Sequence, residues 1–246
     1  MRERFFVSFS IVNNHIVMMQ FDILTIFPGV FDGYLNESMI KRGRAKHILN
    51  IRIHDIRAFS RNRRKKVDDR PYGGGPGMVM RIEPIARAAE KIFTKKTDKK
   101  KIKLVLASAS GREFTQEMAD QWAKRYNRIV LIAGHYEGVD ARLGRVLKDC
   151  VGVRMEEISI GPYTLTGGEL PAMVMVDAVA RHLAGFLGTE ESLEEKRFGI
   201  GMPAYTRPEV FVWRRKRYAT PKVLLSGNHE KIAAWRQKVT RARAGK

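Results

Sequence analysis

The chain has one cysteine, Cys150, in 246 residues. That excludes an intrachain disulfide framework and a cysteine-rich metal site, and it fits a protein of the reducing cytoplasm. Long apolar runs are also missing. The best candidate, Phe5 to Val12, is short and interrupted by Ser8 and Ser10, which argues against a membrane span. Arg2 and Arg4 precede it, but no small-residue cleavage site follows before Asn13, Asn14 and His15. Residues 1–18 therefore read as an N-terminal extension, with Met18 or Met19 as an alternative start. No Gly-Lys-Ser/Thr closes a glycine-rich loop and no Gly-x-Gly-x-x-Gly follows a strand, so neither a triphosphate loop nor an ordinary dinucleotide fold is expected. Acidic residues are scarce: 26 Asp and Glu stand against 46 Lys and Arg, a net charge of +20. A surplus of that size favours a polyanionic partner, nucleic acid first.

What is present begins with enough apolar sequence, 44% of residues, to bury a core in one or two domains. The positive charge is uneven. From Arg207 to Lys246 twelve Lys and Arg face only Glu209 and Glu230, and Tyr205, Phe211, Trp213, Tyr218 and Trp235 are interleaved with them. Aromatic rings beside arginines can stack on nucleobases. A second basic run, Arg57 to Lys66, suits a phosphate backbone.

In chain order, Phe21 to Phe27 predicts a strand stopped by Pro28-Gly29, followed by a helix from about Phe31 to Arg42 and a strand over Ile48 to Ile53. Pro84 to Phe93 predicts a helix with Ile85, Ala88, Ala89 and Ile92 on one face, then a lysine-rich loop. Lys103 to Ala107 and Ile129 to Ala133 are short apolar strands, separated by a loop at Ser108 to Arg112 and an amphipathic helix from Phe114 to Tyr126. Repetition of strand, glycine loop and helix predicts an α/β domain with a largely parallel sheet. Ligands of such sheets sit outside the carboxyl ends of the strands. Three loops meet that condition: Ser108 to Gly111, Gly134 to Gly138, and Ser159 to Gly168. The last feeds a segment, Leu170 to Leu183, that is apolar on nearly all sides except Asp177, Arg181 and His182, so a buried helix is expected there. At the other end, Glu230 to Arg243 predicts a helix with Asn228 as its cap.

Several long motifs carry a resemblance. Asp68-Asp69-Arg70-Pro71-Tyr72-Gly73-Gly74-Gly75-Pro76-Gly77-Met78, Gly134-x-Tyr136-Glu137-Gly138-x-Asp140, Ser159 to Met173, Tyr205-Thr206-Arg207-Pro208 and Leu224 to His229 together resemble the bacterial tRNA (guanine-37-N1)-methyltransferases, from about Met19 to the C-terminus. The resemblance implies a trefoil-knotted methyltransferase domain over 19–187, a linker over 188–205 and a small, basic, helical tRNA-binding domain over 206–246. It implies a homodimer, the tRNA anticodon arm as partner, and S-adenosylmethionine as methyl donor, with magnesium for turnover and Glu137 as a contact. Cofactor-binding positions carried over by matching are Ala107, Ser108, Gly134, Tyr136, Glu137, Ser159, Ile160, Gly161, Tyr163, Leu165, Gly167, Gly168 and Pro171; Asp68, Gly77 and Arg207 are carried over for substrate.

The implied chemistry removes a proton from guanine N1 and balances charge at O6. Arg181 matches the family's catalytic arginine; the alternative is a structural partner for Asp177. For the base the sequence departs from the pattern. Lys196 stands where a carboxylate belongs and Arg197 where a serine does, while Glu194 and Glu195 stand next to them, and Glu195 is taken as the base. A lysine of ordinary pKa cannot accept that proton. Pro162 and Ala109 also replace residues common in the family, as do basic residues before Asp68. These departures leave two rivals open: a catalytically impaired tRNA-binding relative, and a knotted methyltransferase for another RNA.

Overall fold

In the computed structural model, residues 18–93, 98–187 and 202–244 are described, with side chains as far as Val239. The expected N-terminal extension lies almost wholly outside them, as does most of the linker with Glu194, Glu195 and Lys196. The chain divides into two compact units, Met1–Phe186 and Leu187–Lys246.

The first unit is built on five strands: β1 (Met19–Thr25), β2 (Leu49–Asp55), β5 (Ile102–Glu113), β6 (Arg128–Ala133) and β7 (Met155–Ser159). They pair in the order β2-β1-β6-β5-β7, and every pairing is parallel. Strands covered on both faces need apolar residues at successive positions, which is why Ile129-Val130-Leu131-Ile132-Ala133 lacks alternation. One face carries α3 (Ile82–Ile92) and α5 (Leu143–Val151), whose Ile85, Ala88, Ala89, Ile92, Leu143 and Leu147 pack with Leu24, Leu104, Val130 and Ile132. The isoleucine, leucine and valine side chains among these contribute about 1.5–3 kcal/mol each when fully buried. α4 (Gln116–Arg125) and α6 (Glu169–Ala180) pack against one another, with α6 also against β1 and β6. Local chemistry sets the helix ends. Thr115 Oγ1 accepts from Met118 N at 3.3 Å, and α5 stops where Gly152 takes a left-handed φ of 70°.

The helix expected over Phe31 to Arg42 is broken into α1 (Asp32–Leu35) and α2 (Ser38–Ala45). Asn36 causes the break: its amide donates to Asp32 O at 2.8 Å and its Oδ1 accepts from Arg44, which turns the chain out of the helix. The expected loop at Ser108 to Arg112 is instead the continuation of β5. Pairing with β7 slips between Ala107 and Arg112, and the strand then runs on to Glu113. Two short strands, β3 (Asp68–Asp69) and β4 (Val79–Met80), pair antiparallel and tie the ends of the glycine-rich loop together.

Two buried polar clusters lie within the sheet layers. Asp22, fully buried, accepts from His54 Nε2 at 2.6 Å and Arg128 Nε at 2.7 Å. Burial alone would raise its pKa, but the hydrogen bonds from His54 and Arg128 outweigh burial and hold the carboxyl below its ordinary value. Lys103 on β5 pairs with Glu156 at 2.5 Å and lies over the rings of Trp122 and Tyr126.

The second unit contains a hairpin of β8 (Val210–Trp213) and β9 (Lys216–Ala219), then α7 (Lys222–Leu225) and α8 (His229–Ala244). Asn228 Oδ1 accepts from Lys231 N at 3.0 Å, so the expected cap of the last helix forms. The hairpin is an addition to the helical expectation. Its two-residue turn is Arg214-Arg215, both at positive φ, where Asn-Gly is the usual signal, so the sequence pattern did not announce it.

Candidate functional site

The middle of β5, where its pairing with β7 slips, and the carboxyl ends of β6 and β7 open into a cavity of about 520 Å³, within the range of small-molecule sites. Three segments wall it: Leu106 to Ser110, Gly134 to Ala141, and Met155 and Glu157 to Ile160 together with Tyr163 to Gly168 and Pro171. Of the thirteen positions expected to hold cofactor, Ala107, Ser108, Gly134, Tyr136, Glu137, Ser159, Ile160, Tyr163, Leu165, Gly167, Gly168 and Pro171 line this space.

Gly161 is not on the wall. A Cβ there would stand 2.4 Å from Tyr163 Cε1, and Ser159 Oγ donates to Gly161 O at 2.9 Å, so this glycine lets the turn fold back on itself. Tyr163 closes the same turn through a bond from its hydroxyl to Ile160 O at 3.1 Å. Gly168 is needed for a different reason. Its added Cβ would lie 2.7 Å from Ala133 Cα and 2.8 Å from Gly134 N, while its own N–H donates to Gly134 O at 2.8 Å. Two of the sheet-end loops are thus joined backbone to backbone, an approach only glycine permits.

The cavity is acidic rather than basic. Glu137, Glu157 and Asp140 lie on its wall. Asp140 is engaged by Arg142, at 2.6 and 2.9 Å, and that hydrogen-bonded guanidinium holds its pKa down to about 2. Glu137 and Glu157 remain as the carboxylates able to face a cationic ligand. Glu157, Met155, Val139 and His135 are wall residues that sequence reasoning did not assign. The His135 ring stacks edge-on to Phe27 at 4.9 Å and its backbone bridges Gly167. Tyr136 beside it takes a φ of 61°, a strained backbone for a non-glycine, at the mouth of the cavity.

The Asp68 to Met78 loop comes to the same place. Glu137 N donates to Met78 O at 3.0 Å, Asp140 N donates to Met80 O at 3.1 Å, and a Cβ on Gly77 would collide with the Glu137 carboxylate. Asp68 is half-buried on β3, and Tyr72 at the loop tip is fully exposed. Arg181 caps the C-terminus of α6 and is half-buried, less enclosed than its apolar neighbourhood predicts. The rest of that helix is also less buried than expected, since Leu170 is 55% and Val174 45% exposed. Asp177 is bonded by Tyr34, whose phenol is pushed up to about 12 by burial and by that carboxylate. Arg207 belongs to the second unit and is exposed there. Among the described residues no three His, Cys, Asp or Glu side chains converge on a metal site. No described helix is long and apolar enough to cross a membrane.

A wholly parallel α/β sheet with two glycine-bearing loops and the irregular middle of β5 walling one pocket defines a small-molecule-binding domain of the open-sheet class. Comparison with known proteins narrows the class. A family model described as tRNA (Guanine-1)-methyltransferase TrmD matches residues 19–246. The chain is 47% identical over 222 residues to the tRNA (guanine-N(1)-)-methyltransferase of Moorella thermoacetica, covering 89% of this chain and 84% of that protein. To the protein of the same name from Geobacillus kaustophilus it is 45% identical over 223 residues, covering 89% and 86%. The chain belongs to the tRNA (guanine-1)-methyltransferase family.

Proposed function

We propose that this protein transfers a methyl group from S-adenosylmethionine to N1 of guanosine 37 of tRNA, beside the anticodon. The observation that carries the reading is the pocket: in a member of this family, twelve residues matched from sequence converge on one cavity at the end of a parallel sheet. The residues present fit the donor. Gly168 lets loops approach closely enough to shape a cleft, and Glu137 and Glu157 offer negative charge to a cationic ligand. When bound, S-adenosylmethionine supplies an electrophilic methyl group on a sulfonium sulfur.

The chain's own residues do the rest. The backbone of the three wall segments orients the donor, and the Asp68 to Met78 loop, joined to Glu137 N through Met78 O, borders the place where guanine enters. The Glu195 carboxylate takes the N1 proton as the N1–carbon bond forms and the carbon–sulfur bond breaks. Arg181 balances negative charge at O6. General-base catalysis of this kind contributes about 10²–10⁴-fold. The protein works in the cytoplasm as a homodimer with a knotted first domain. Exposed Leu170 and Val174, one turn apart on α6, support an apolar contact with a second copy, and the return of the loop after β7 to bond Gly134 supports the threading. The charge of the second unit supports its binding the anticodon arm. Family membership does not favour the impaired or other-RNA readings.

Single-turnover methylation of tRNA transcripts carrying guanosine or another base at position 37 tests the proposal. Transfer is expected only to the guanosine transcript, and Glu195→Gln is expected to slow it by about 10²-fold or more while cofactor binding persists. Equal transfer to both transcripts, or none from a protein that binds cofactor, refutes it.

A further inference from the structure

The β8–β9 hairpin sorts its residues by face. Register pairs Phe211 with Tyr218 and Trp213 with Lys216, so Phe211, Trp213, Tyr218 and Lys216 stand on one side of the ribbon. None of the three rings is buried: Phe211 is 52%, Trp213 58% and Tyr218 54% exposed. The planes of Phe211 and Trp213 are nearly parallel, at 12°, with centroids 6.3 Å apart. At the end of this aromatic strip Arg214, Arg215, Lys216 and Arg217 follow one another, with no acidic residue between Val210 and Thr220.

The turn itself is informative. Arg214 and Arg215 sit at φ 47° and 68°, angles that glycine and asparagine take with little strain and arginine does not. A hairpin selected for folding alone would place Asn-Gly there. Two cations held in disfavoured backbone angles at the tip of an exposed aromatic ribbon point to a use for the charge. A flat π-surface with a cationic end matches one chemistry: unpaired nucleotides of RNA, whose bases stack on rings and whose phosphates meet guanidinium groups.

We infer that the β8–β9 hairpin is a base-stacking arm, on which Phe211, Trp213 and Tyr218 receive unpaired nucleobases of the substrate RNA while Arg214 and Arg215 hold the adjoining phosphates. The inference deepens the function proposed above and rests on it for the identity of the RNA. Stacking is indifferent to salt and tolerant of sequence, so the arm grips an open loop without reading it. The tip cations add a salt-dependent hold on the same strand.

The test uses the full chain with three probes: a tRNA transcript, a short single-stranded oligoadenylate and a blunt RNA duplex whose paired stem has no loop. Trp213→Ala and Phe211→Ala are each expected to weaken binding to the transcript and the oligoadenylate by about 5- to 100-fold. The slope of log affinity against log salt stays as in the parent, and the paired stem is bound as before. Trp213→Phe, which keeps a flat ring, recovers most of the loss. The Arg214→Asn/Arg215→Gly pair is expected to fold at least as well as the parent by thermal melt, yet to bind less tightly with a salt slope shallower by about 1 to 2. Opposite movement of stability and affinity cannot come from a tip that is only a turn.

Affinities of the aromatic variants within twofold of the parent overturn the inference, as does an unchanged salt slope in the tip variant. Light scattering in which Trp213→Ala changes the mass of the particle also overturns it, because the ribbon face would then belong to a second copy. Methylation by the parent protein is assayed beside the binding. Parent activity with indifferent hairpin variants sinks this inference alone; stacking-dependent binding without methyl transfer sinks the enzymatic reading and supports the arm.

Discussion

The cavity at the end of the parallel sheet and the hairpin of the second unit solve opposite problems with opposite means. At the cavity, position is set by backbone packed against backbone: Gly168 against Ala133 and Gly134, and Gly111 against Glu157 and Ile158. Very little positive charge takes part. At the hairpin almost nothing is buried, and charge and rings are displayed to solvent. A reacting methyl group tolerates little displacement, so its site needs close packing. A flexible polyanion must first be found and held, and long-range charge with stacking does that.

That contrast breaks first at Gly168. Gly168→Val forces a side chain into Ala133 Cα at 2.7 Å, and calorimetry is expected to find cofactor binding lost altogether while RNA binding survives. Retained cofactor affinity would show the packing to be softer than drawn. Next comes the buried Asp22 cluster within the first unit. Asp22→Asn leaves Arg128 and His54 without their shared anion and is expected to cost about 3–5 kcal/mol, measured by denaturant unfolding. The sign with pH follows from the lowered Asp22 pKa. Its contribution is present above the ordinary carboxyl value of 3.8 and is lost as pH falls through the lower folded value. A flat acid profile in the parent contradicts that assignment.

Salt sharpens the comparison from the other side. The phosphate contacts of Arg214 and Arg215 alone predict a fall in RNA affinity of about 10-fold between about 50 and about 200 mM salt, with cofactor affinity changing little; parallel titrations of both ligands decide it. The smallest effect is expected at Thr25, whose hydroxyl donates to the buried Glu169 carboxylate at 2.8 Å and accepts from Phe27 N at 2.9 Å. Thr25→Val is expected to cost about 1–3 kcal/mol, seen as faster amide exchange at the start of α6.

Much of this was legible in the chain. Apolar runs marked β1, β2, β5 and β6, and the glycine-rich motifs marked the walls of the cavity, because strand burial and left-handed turns leave local traces. What escaped has physical reasons. β7 is a strand of 5 mixed residues without clear alternation, and α5, although Leu143, Leu147 and Val151 stand at helical spacing, is only 9 residues long. The continuation of β5 through Ser108 to Glu113 depends on β7 coming alongside. The hairpin turn carries arginines where the folding signal would be glycine or asparagine.

By itself the sequence determined the alternation of strand and helix, the placement of glycines, the cationic end of the chain and, through its motifs, the family. Neighbouring residues encode these through periodicity and backbone preference. Only the tertiary structure decided that Asp22 meets Arg128 across 106 positions, that Glu137 rests on Gly77, that Glu157 lines the cavity, and that Gly161 folds a turn against Tyr163 instead of lining it. Those are contacts between distant segments, settled by how the layers pack and carried by no local pattern.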